Sequence, residues 1–393
     1  MTVYIPTSVD NAAPATHDER SRQRFISAMR RKVLVDLAGD MRQTYDTQVA
    51  PAMERNAANQ PADAVAIRKA MAERSIYKFY STSRYKLQEM TWESVRPQVE
   101  RNIDTMVDMA RDVPSPAGGT LALDPSLDIP RYVSELDVHL MPGCFHSEHT
   151  HDDIAQGAIY CYGIGVFYGG LPMTTNGGGP GATIANFLRV AHPGFTPRTV
   201  VDLGCTTGNN SFPYVEVYPD ADVHGIDVGA PMLRYGHARA AAAGKKVHFS
   251  QQNAEHLQFE DNSVDLITST YFLHELPVKT TRDIFKECFR VLKPGGLMIH
   301  FELPPRSEVD AYQDFYLDWD AYYNNEPSYA QFRGQSLTDL CSEAGFDPNN
   351  YMQQQLFNWG TVPEEQFNAC ARGEIKAPII LNGGSWFTFG AWK

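Results

Sequence analysis

A histidine and a carboxylate stand side by side at His274-Glu275, directly after Val264-Asp-Leu-Ile-Thr-Ser-Thr270, a run with the apolar density of a buried strand. A histidine in such a place can take the proton of a hydroxyl or hydrogen-bond a carboxylate; its plainer role is to tie a loop to nearby backbone. A second conspicuous group is Cys144-Phe-His146-Ser-Glu148-His149-Thr-His151-Asp152-Asp153, whose imidazoles and carboxylates are the ligand types of a divalent ion. Its spacing matches no zinc-finger half. Although His146-Ser-Glu148 spells the His-x-Glu of zinc deaminases, no Pro-Cys-x-x-Cys follows. The expectation is therefore a polar loop without metal, with His149 and His151 available to an anionic ligand. A third group is the loop Gly204-Cys205-Thr206-Thr207-Gly208, where glycine lets backbone approach a ligand closely. Counted from Gly204, a Gly-x-Gly-x-x-Gly dinucleotide fingerprint would need glycine at Thr206 and Asn209, so that reading fails.

These groups need elements to hold them. After Pro197 the chain alternates strand-like runs (TVVDLG, ADVHGID, KVHFSQQ, VDLITST, GLMIHFE) with stretches mostly long enough for a helix. That rhythm predicts a mostly parallel, doubly wound α/β sheet, Rossmann-like, with ligands at the carboxyl ends of its strands. Two late segments, YMQQQLFNW and SWFTFGAWK, add an antiparallel closing pair at one edge. Before the sheet, Arg20 to Arg111 carries apolar residues three and four apart, as in helices. Breaks fall at Asn56-Ala-Ala-Asn-Gln60 and Pro114-Ser-Pro-Ala-Gly-Gly119. Between Leu121 and Pro180 two pieces, RYVSELDVHLM and AIYCYGIGVFY, read as β-like, followed by the glycine-rich Asn176-Gly-Gly-Gly-Pro-Gly181. The division expected is a helical N-terminal extension, 1–120, a connecting and substrate-covering lobe, 121–181, and an α/β domain, 182–393.

In their order and spacing, the segments after Ala182 resemble class I S-adenosylmethionine-dependent methyltransferases. Asp202, Gly204 and Gly208 match the first motif, Asp-x-Gly-x-Gly-x-Gly, with Thr206 in place of the central glycine. Gly225-Ile-Asp227 matches the acidic residue that receives the ribose hydroxyls. Gln252-Asn253-Ala254-Glu255 matches the segment that holds the adenine, with Asn253 where an acid is usual. Val264 to Thr270 and Arg290-Val-Leu-Lys-Pro-Gly-Gly296 complete the series. The likeness is greatest to the ubiquinone-biosynthesis-like, small-molecule branch; the first 180 residues carry no such resemblance.

The resemblance implies S-adenosylmethionine as cofactor, bound by Asp202, Gly204, Cys205, Thr206 and Gly208, by Asp227 with Val228 and Met232, by Asn253 and Ala254, and by Thr270. It places His274 beside the transferred methyl group, as the candidate catalytic residue. Tyr271, Tyr168, His149 and His151 are candidates for the substrate. So are Tyr316 and Trp319, from an aromatic stretch whose helical spacing fits packing against a neighbour equally well. No Asp/Asn-Pro-Pro-Tyr/Phe follows the fourth strand, which disfavours nucleobase or glutamine amides as acceptors. The function expected is O-methylation of a hydroxyl or carboxylate on a small aromatic or carboxylic-acid metabolite. C- or N-methylation on the same fold, or a non-catalytic cofactor-binding protein, are the alternatives.

Composition narrows the partners. Across 393 residues, 34 basic against 47 acidic side chains give a net charge of -13, which argues against nucleic acid. Six cysteines without a Cys-x-x-Cys pair fit reduced thiols. No apolar run reaches the ~20 residues of a membrane helix, and the N-terminus lacks the pattern of a signal peptide. A cytoplasmic enzyme is expected, with a small-molecule substrate, no membrane or nucleic-acid partner, and a homodimer as the one assembly to consider.

Overall fold

The structure is a computed structural model that describes residues 8–56, 63–112, 119–168, 179–379 and 385–393. Most of the Asn56 to Gln60 and Pro114 to Gly119 breaks, and the first part of the Asn176 to Gly181 loop, lie outside the described residues.

Eight strands form one sheet: β1 (Leu121–Ala122), β2 (Thr199–Leu203), β3 (Asp222–Asp227), β4 (Val247–Gln251), β5 (Val264–Thr270), β6 (Leu292–Glu302), β7 (Tyr351–Phe357) and β8 (Ser385–Trp392). Their order is β1-β4-β3-β2-β5-β6-β8-β7. Neighbours are parallel except around β8, which runs antiparallel to both β6 and β7. The expected α/β sheet with an antiparallel closing strand is what the chain forms. The central strands are buried along almost their whole length, as β2 shows with Val200, Val201 and Leu203 all at 0% exposure. Strands covered on both faces read as continuous apolar runs, which is why the sequence announced them. Strand order reverses at β2, between β3 on one side and β5 on the other; such a reversal opens a crevice at the carboxyl ends of the strands.

The N-terminal helices form as expected. The first, His17–Arg31, starts at a capping box in which Thr16 and Glu19 satisfy each other's backbone N–H. The longest, Ser75–Arg101, spans 27 residues. These helices do not close a core of their own. Ile26, Tyr80, Trp92 and Val95 share one cluster with Met232 and Tyr235 from the helix after β3, and with Phe315 and Trp319 from the helix after β6. A buried ion pair, Arg239 to Asp10 at 2.8 Å, joins the same parts.

Two β-like readings in the connecting lobe do not hold. RYVSELDVHLM folds into a short helix, Arg131–Ser134, and a 3-10 turn, Val138–Leu140. AIYCYGIGVFY falls almost entirely within a helix, Ala155–Phe167. That helix is buried on most sides, so no polar face breaks its apolar run into a helical period. Its glycines mark close contacts: a Cβ at Gly163 would lie 2.3 Å from Cζ3 of Trp92, and one at Gly157 only 2.5 Å from Cβ of Tyr235.

Candidate functional site

Leaving β2, the chain turns through three residues of positive φ, Gly204 (65°), Thr206 (49°) and Gly208 (76°). Thr206 holds a conformation costing an L-residue roughly 1–2 kcal/mol. What maintains it is its own N–H, which donates to Oδ2 of Asp227 at 2.9 Å. The flanking glycines have no room for a side chain: a Cβ at Gly204 would sit 2.3 Å from Cδ2 of Phe272, and one at Gly208 2.6 Å from Cζ of Phe249. Beneath the loop, Asp202 is 1% exposed and accepts from Ser211 Oγ at 2.6 Å. Burial pushes its carboxyl up to about 7, against the pull of that hydrogen bond. Cys205 is likewise buried, its thiol driven well above the ordinary range. Both side chains serve the loop from within and leave its backbone to face the crevice.

Asp227 ends β3. Its Oδ1 accepts from the Gly229 N–H at 2.8 Å, and with the Thr206 and Val228 N–H groups this surrounds the carboxylate with backbone donors, which oppose the upward push of burial on its pKa. Val228 follows, its carbonyl held by Gln251 Nε2 at 3.0 Å, and Met232 is fully buried beneath. Beyond β4, Asn253 closes a turn: its Oδ1 accepts from the Glu255 N–H at 3.0 Å, and Ala254 is 5% exposed. The loop, Asp227, and the Asn253 turn thus follow three adjacent strands. Thr270, half-buried, stands at the end of β5 on the other side of the switch point.

From β5 the chain turns through Tyr271, φ 52°, into Leu273–Glu275. His274 is 4% exposed and its Nδ1 meets Oε2 of Glu302, the last residue of β6, at 2.6 Å. The other oxygen of Glu302 accepts the Leu273 N–H at 2.8 Å. Nε2 of His274 has only a loose contact, 3.5 Å, with Glu275. Glu275 in turn meets Nε2 of His139 at 2.9 Å, while Nδ1 of His139 faces Glu326 at 3.0 Å. Burial alone would strip both imidazoles of their protons; the carboxylates around them outweigh it, holding His274 well above its ordinary range and His139 at about 10. The two imidazoles act the other way on Glu275, whose carboxyl stays low despite burial. Ligand atoms of His139, Glu275 and Glu326 lie within 4.8 Å of one another. Each ring nitrogen of His139, however, points to a different carboxylate at hydrogen-bond distance, which is the geometry of an imidazolium between two acids.

Other residues singled out in the sequence are scattered. Tyr168, at the end of the helix Ala155–Phe167, is 64% exposed. The same helix touches the glycine loop through Cys161, whose Sγ lies 3.2 Å from Thr207 Oγ1. Tyr271 packs edge-on against Trp386 and Phe301. Tyr316 and Trp319 are buried: Tyr316 bonds Tyr80 OH at 2.7 Å, and Trp319, 0% exposed, stacks on Tyr80 at 4.5 Å and donates to Ser81. They pack the N-terminal helices against the rest of the chain, the plainer of the two readings. His149 and His151 are exposed, His151 pairing with Asp152, while Asp153 below caps the turn by accepting from the His149 N–H at 2.7 Å. Sequence reasoning missed Glu302, His139, Glu326 and Asn324. Only Glu302 had a readable signal, an acid at the carboxyl end of a buried strand.

Comparison with known proteins gives this site a context. Residues 200–296 match the family model described as a methyltransferase domain. A demethylmenaquinone methyltransferase of Lactiplantibacillus plantarum is 35% identical over 182 residues, covering 42% of this chain and 75% of that protein. A ubiquinone/menaquinone biosynthesis C-methyltransferase of Vibrio vulnificus is 32% identical over 180 residues, 41% of this chain and 67% of that one. Of two further curated relatives the chain spans less than half the length, 42% for the demethylmenaquinone methyltransferase of Lactococcus lactis and 49% for that of Thermus thermophilus. Among solved structures, a phosphoethanolamine N-methyltransferase of Haemonchus contortus with S-adenosyl-L-methionine is 18% identical, TM-score 0.36, over 55% of this chain and 53% of that one.

Proposed function

The chain belongs to the class I S-adenosylmethionine-dependent methyltransferases, small-molecule branch, and from that premise we propose that it methylates an oxygen, hydroxyl or carboxylate, of a small aromatic or carboxylic-acid metabolite. The observation that carries this reading is the pairing of His274 with Glu302 at 2.6 Å, beside the end of β5. S-adenosylmethionine supplies an electrophilic methyl group when bound. The residues present fit it: the Asp227 carboxylate, held by backbone donors at the end of β3, can accept from ribose hydroxyls, and the glycine loop, with no room for side chains at Gly204 and Gly208, suits close approach of a ligand. Asn253 and Ala254 would border the adenine, with Val228 and Met232 below the ribose.

The acceptor side has the harder task when the acceptor is a hydroxyl, whose proton must leave as the bond forms. His274, oriented through Nδ1 by Glu302, takes it at Nε2 when its ring is neutral, and because the surrounding carboxylates raise its proton affinity that form grows with pH. In the group Glu302, His274, Glu275, His139 and Glu326, carboxylates outnumber imidazoles, and this surplus of negative charge is what raises the affinity of His274 for the proton it receives. The loose Nε2 contact is the place where an acceptor oxygen could replace Glu275. Tyr271 and Tyr168 would border that acceptor, under the cover of the 1–120 and 121–181 segments.

One observation favours a second reading, methylation at carbon: relatives 35% and 32% identical are described as a demethylmenaquinone methyltransferase and a C-methyltransferase of quinone biosynthesis. A phenolic ring activated for attack through carbon also needs its hydroxyl proton removed, so the same cluster serves. Incubation with methyl-labelled cofactor and a metabolite extract, followed by mass spectrometry and carbon NMR of the product, decides between them. A label on oxygen supports the first reading and a label on ring carbon replaces it with the second. Tight cofactor binding without any labelled product would make the chain a non-catalytic binder. Among the described residues no helix is long and apolar enough to cross a membrane. A cytoplasmic location, a possible role for a homodimer, and independence from nucleic acid belong to the same proposal.

A further inference from the structure

We propose that His139, from the segment between β1 and β2, is a positioning residue of the methyl-transfer site, whose ring holds Glu275 against His274. The inference rests on the reading that the His274–Glu302 pair serves the acceptor.

Three observations carry it. His139 and Leu140 both adopt φ 56°, a conformation in which two consecutive non-glycine residues are rarely found. Such strain persists only where the surroundings impose it. Here the helix Ser75–Arg101 does so: Trp92 Nε1 and Gln88 Nε2 both donate to the His139 carbonyl, at 2.8 and 3.1 Å. On the opposite side Asn325 Nδ2 donates to the Asp137 carbonyl at 2.9 Å. The backbone is pinned from two directions, and the pinned residue is the one whose ring enters the cluster.

Second, both ring nitrogens are spent on carboxylates from different elements, Glu275 after β5 and Glu326 after the helix Ala311–Tyr323. Asn324, 6% exposed, stands beside the same nitrogen, its Nδ2 2.7 Å from Nδ1 of His139 and donating to Glu326 Oε1, so amide and ring converge on one carboxylate oxygen. Third, Glu275 Oε1 is shared between His139 and His274, while its Oε2 is buried without a hydrogen bond. One oxygen of Glu275 therefore carries both interactions, and its position relative to His274 depends on His139. The groups facing His274 are Glu302 from β6, Glu275 from its own turn, Tyr329 with ring centroids 5.2 Å apart, and Tyr271 at 6.4 Å. No arginine or lysine is among these partners, so His139 is the group other than His274 itself that offsets the charge of Glu275.

The test uses the full chain with His139→Gln and His139→Ala, read by nitrogen NMR of the histidine rings across pH and by turnover with the acceptor found by label transfer. Without the positive ring, the charge on Glu275 acts undiminished on His274, so the midpoint of His274 titration and the acid limb of the rate profile should both move to higher pH. Turnover should fall by up to about 10²-fold, the effect of misplacing a group near the reacting atoms. Cofactor affinity, measured by calorimetry, should stay within about twofold. In a His274→Gln background the His139 substitution should cost almost nothing further, because both act through one path.

His274 titration and a pH profile unchanged in both variants, with turnover lost only in step with thermal stability, would reduce His139 to a packing role and overturn the proposal. Additive losses in the double variant would do the same. Loss of activity on chelation, restored by a divalent cation, would also overturn it by making the cluster a metal site. Wild-type turnover in His274→Gln alone would instead remove the reading on which the inference rests, an outcome distinct from the others.

Discussion

The two halves of the crevice are built on opposite plans. On the proposed cofactor side each candidate contact comes from the short segment that ends or follows one strand: the Gly204–Gly208 loop after β2, Asp227 at the end of β3, Asn253 just past β4. On the proposed acceptor side the cluster draws on residues 139, 274, 275, 302 and 326, of which only the adjacent His274 and Glu275 share an element. Backbone donors and lone pairs suffice where the ligand is invariant. A variable acceptor is met instead by side chains from several elements, any of which can change without disturbing the sheet. The cofactor half should therefore respond to substitution in affinity, and the acceptor half in rate and pH dependence.

The strongest test of that division is His274→Ala. With a hydroxyl acceptor turnover should drop by ~10²–10⁴, with the deficit shrinking as pH approaches the acceptor's own pKa. A carboxylate is already ionised near neutrality and should show a smaller loss that pH does not repair. Binding of S-adenosylmethionine by calorimetry should hardly change. Wild-type rates at every pH would leave His274 as a loop fastener and move acceptor activation elsewhere.

Asp227→Ala is the counterpart on the other side. Loss of two hydrogen bonds to a charged acceptor should weaken cofactor binding by roughly 1.5–3 kcal/mol, and freeing the Thr206 N–H should loosen the strained loop as well. Unchanged affinity would take Asp227 out of the site. Asn253→Ala removes a neutral acceptor already engaged by the Glu255 N–H, so a loss of about 1 kcal/mol or less is expected in the same titration. If Asn253 proved the more costly of the two, the division of labour along the strands would be misassigned.

The smallest effect is on stability against pH. The folded chain raises His139 from 6.5 to about 10, so it binds that proton more tightly than the unfolded chain does. The resulting stabilisation is complete below about pH 6.5, declines as pH rises, and is gone above about 10. Denaturant unfolding of the parent chain should show this alkaline decline, and His139→Gln should flatten it. A decline of equal steepness in the variant would assign it to other groups.

The same contrast explains what could be read from sequence. Strands buried on both faces give unbroken apolar runs, and the glycines and acids that follow them sit at fixed offsets, so β2 to β6 and Asp227 were legible. The helix Ala155–Phe167 was not, because burial on most sides erased the periodicity that separates helix from strand. His139 was illegible for a different reason: nothing local to residues 131–141 announces that Glu275 and Glu326 will meet there. The aromatic spacing of Phe315, Tyr316 and Trp319 was visible, but choosing between pocket wall and core required knowing that Tyr80 lies opposite.

That stacking has a consequence for the order in which the chain can fold. Ser81 and Trp319, bonded at 2.9 Å, are 238 positions apart. At a synthesis rate of ~5–20 residues per second, the helix bearing Tyr80 and Ser81 waits roughly 10–50 s for its partner to leave the ribosome. Throughout that time β2 to β6 emerge and can pair, while the N-terminal helices still lack the residues that complete their core. The helix Ser75–Arg101 is thus finished only when a segment made much later arrives, and until then its apolar face stays uncovered.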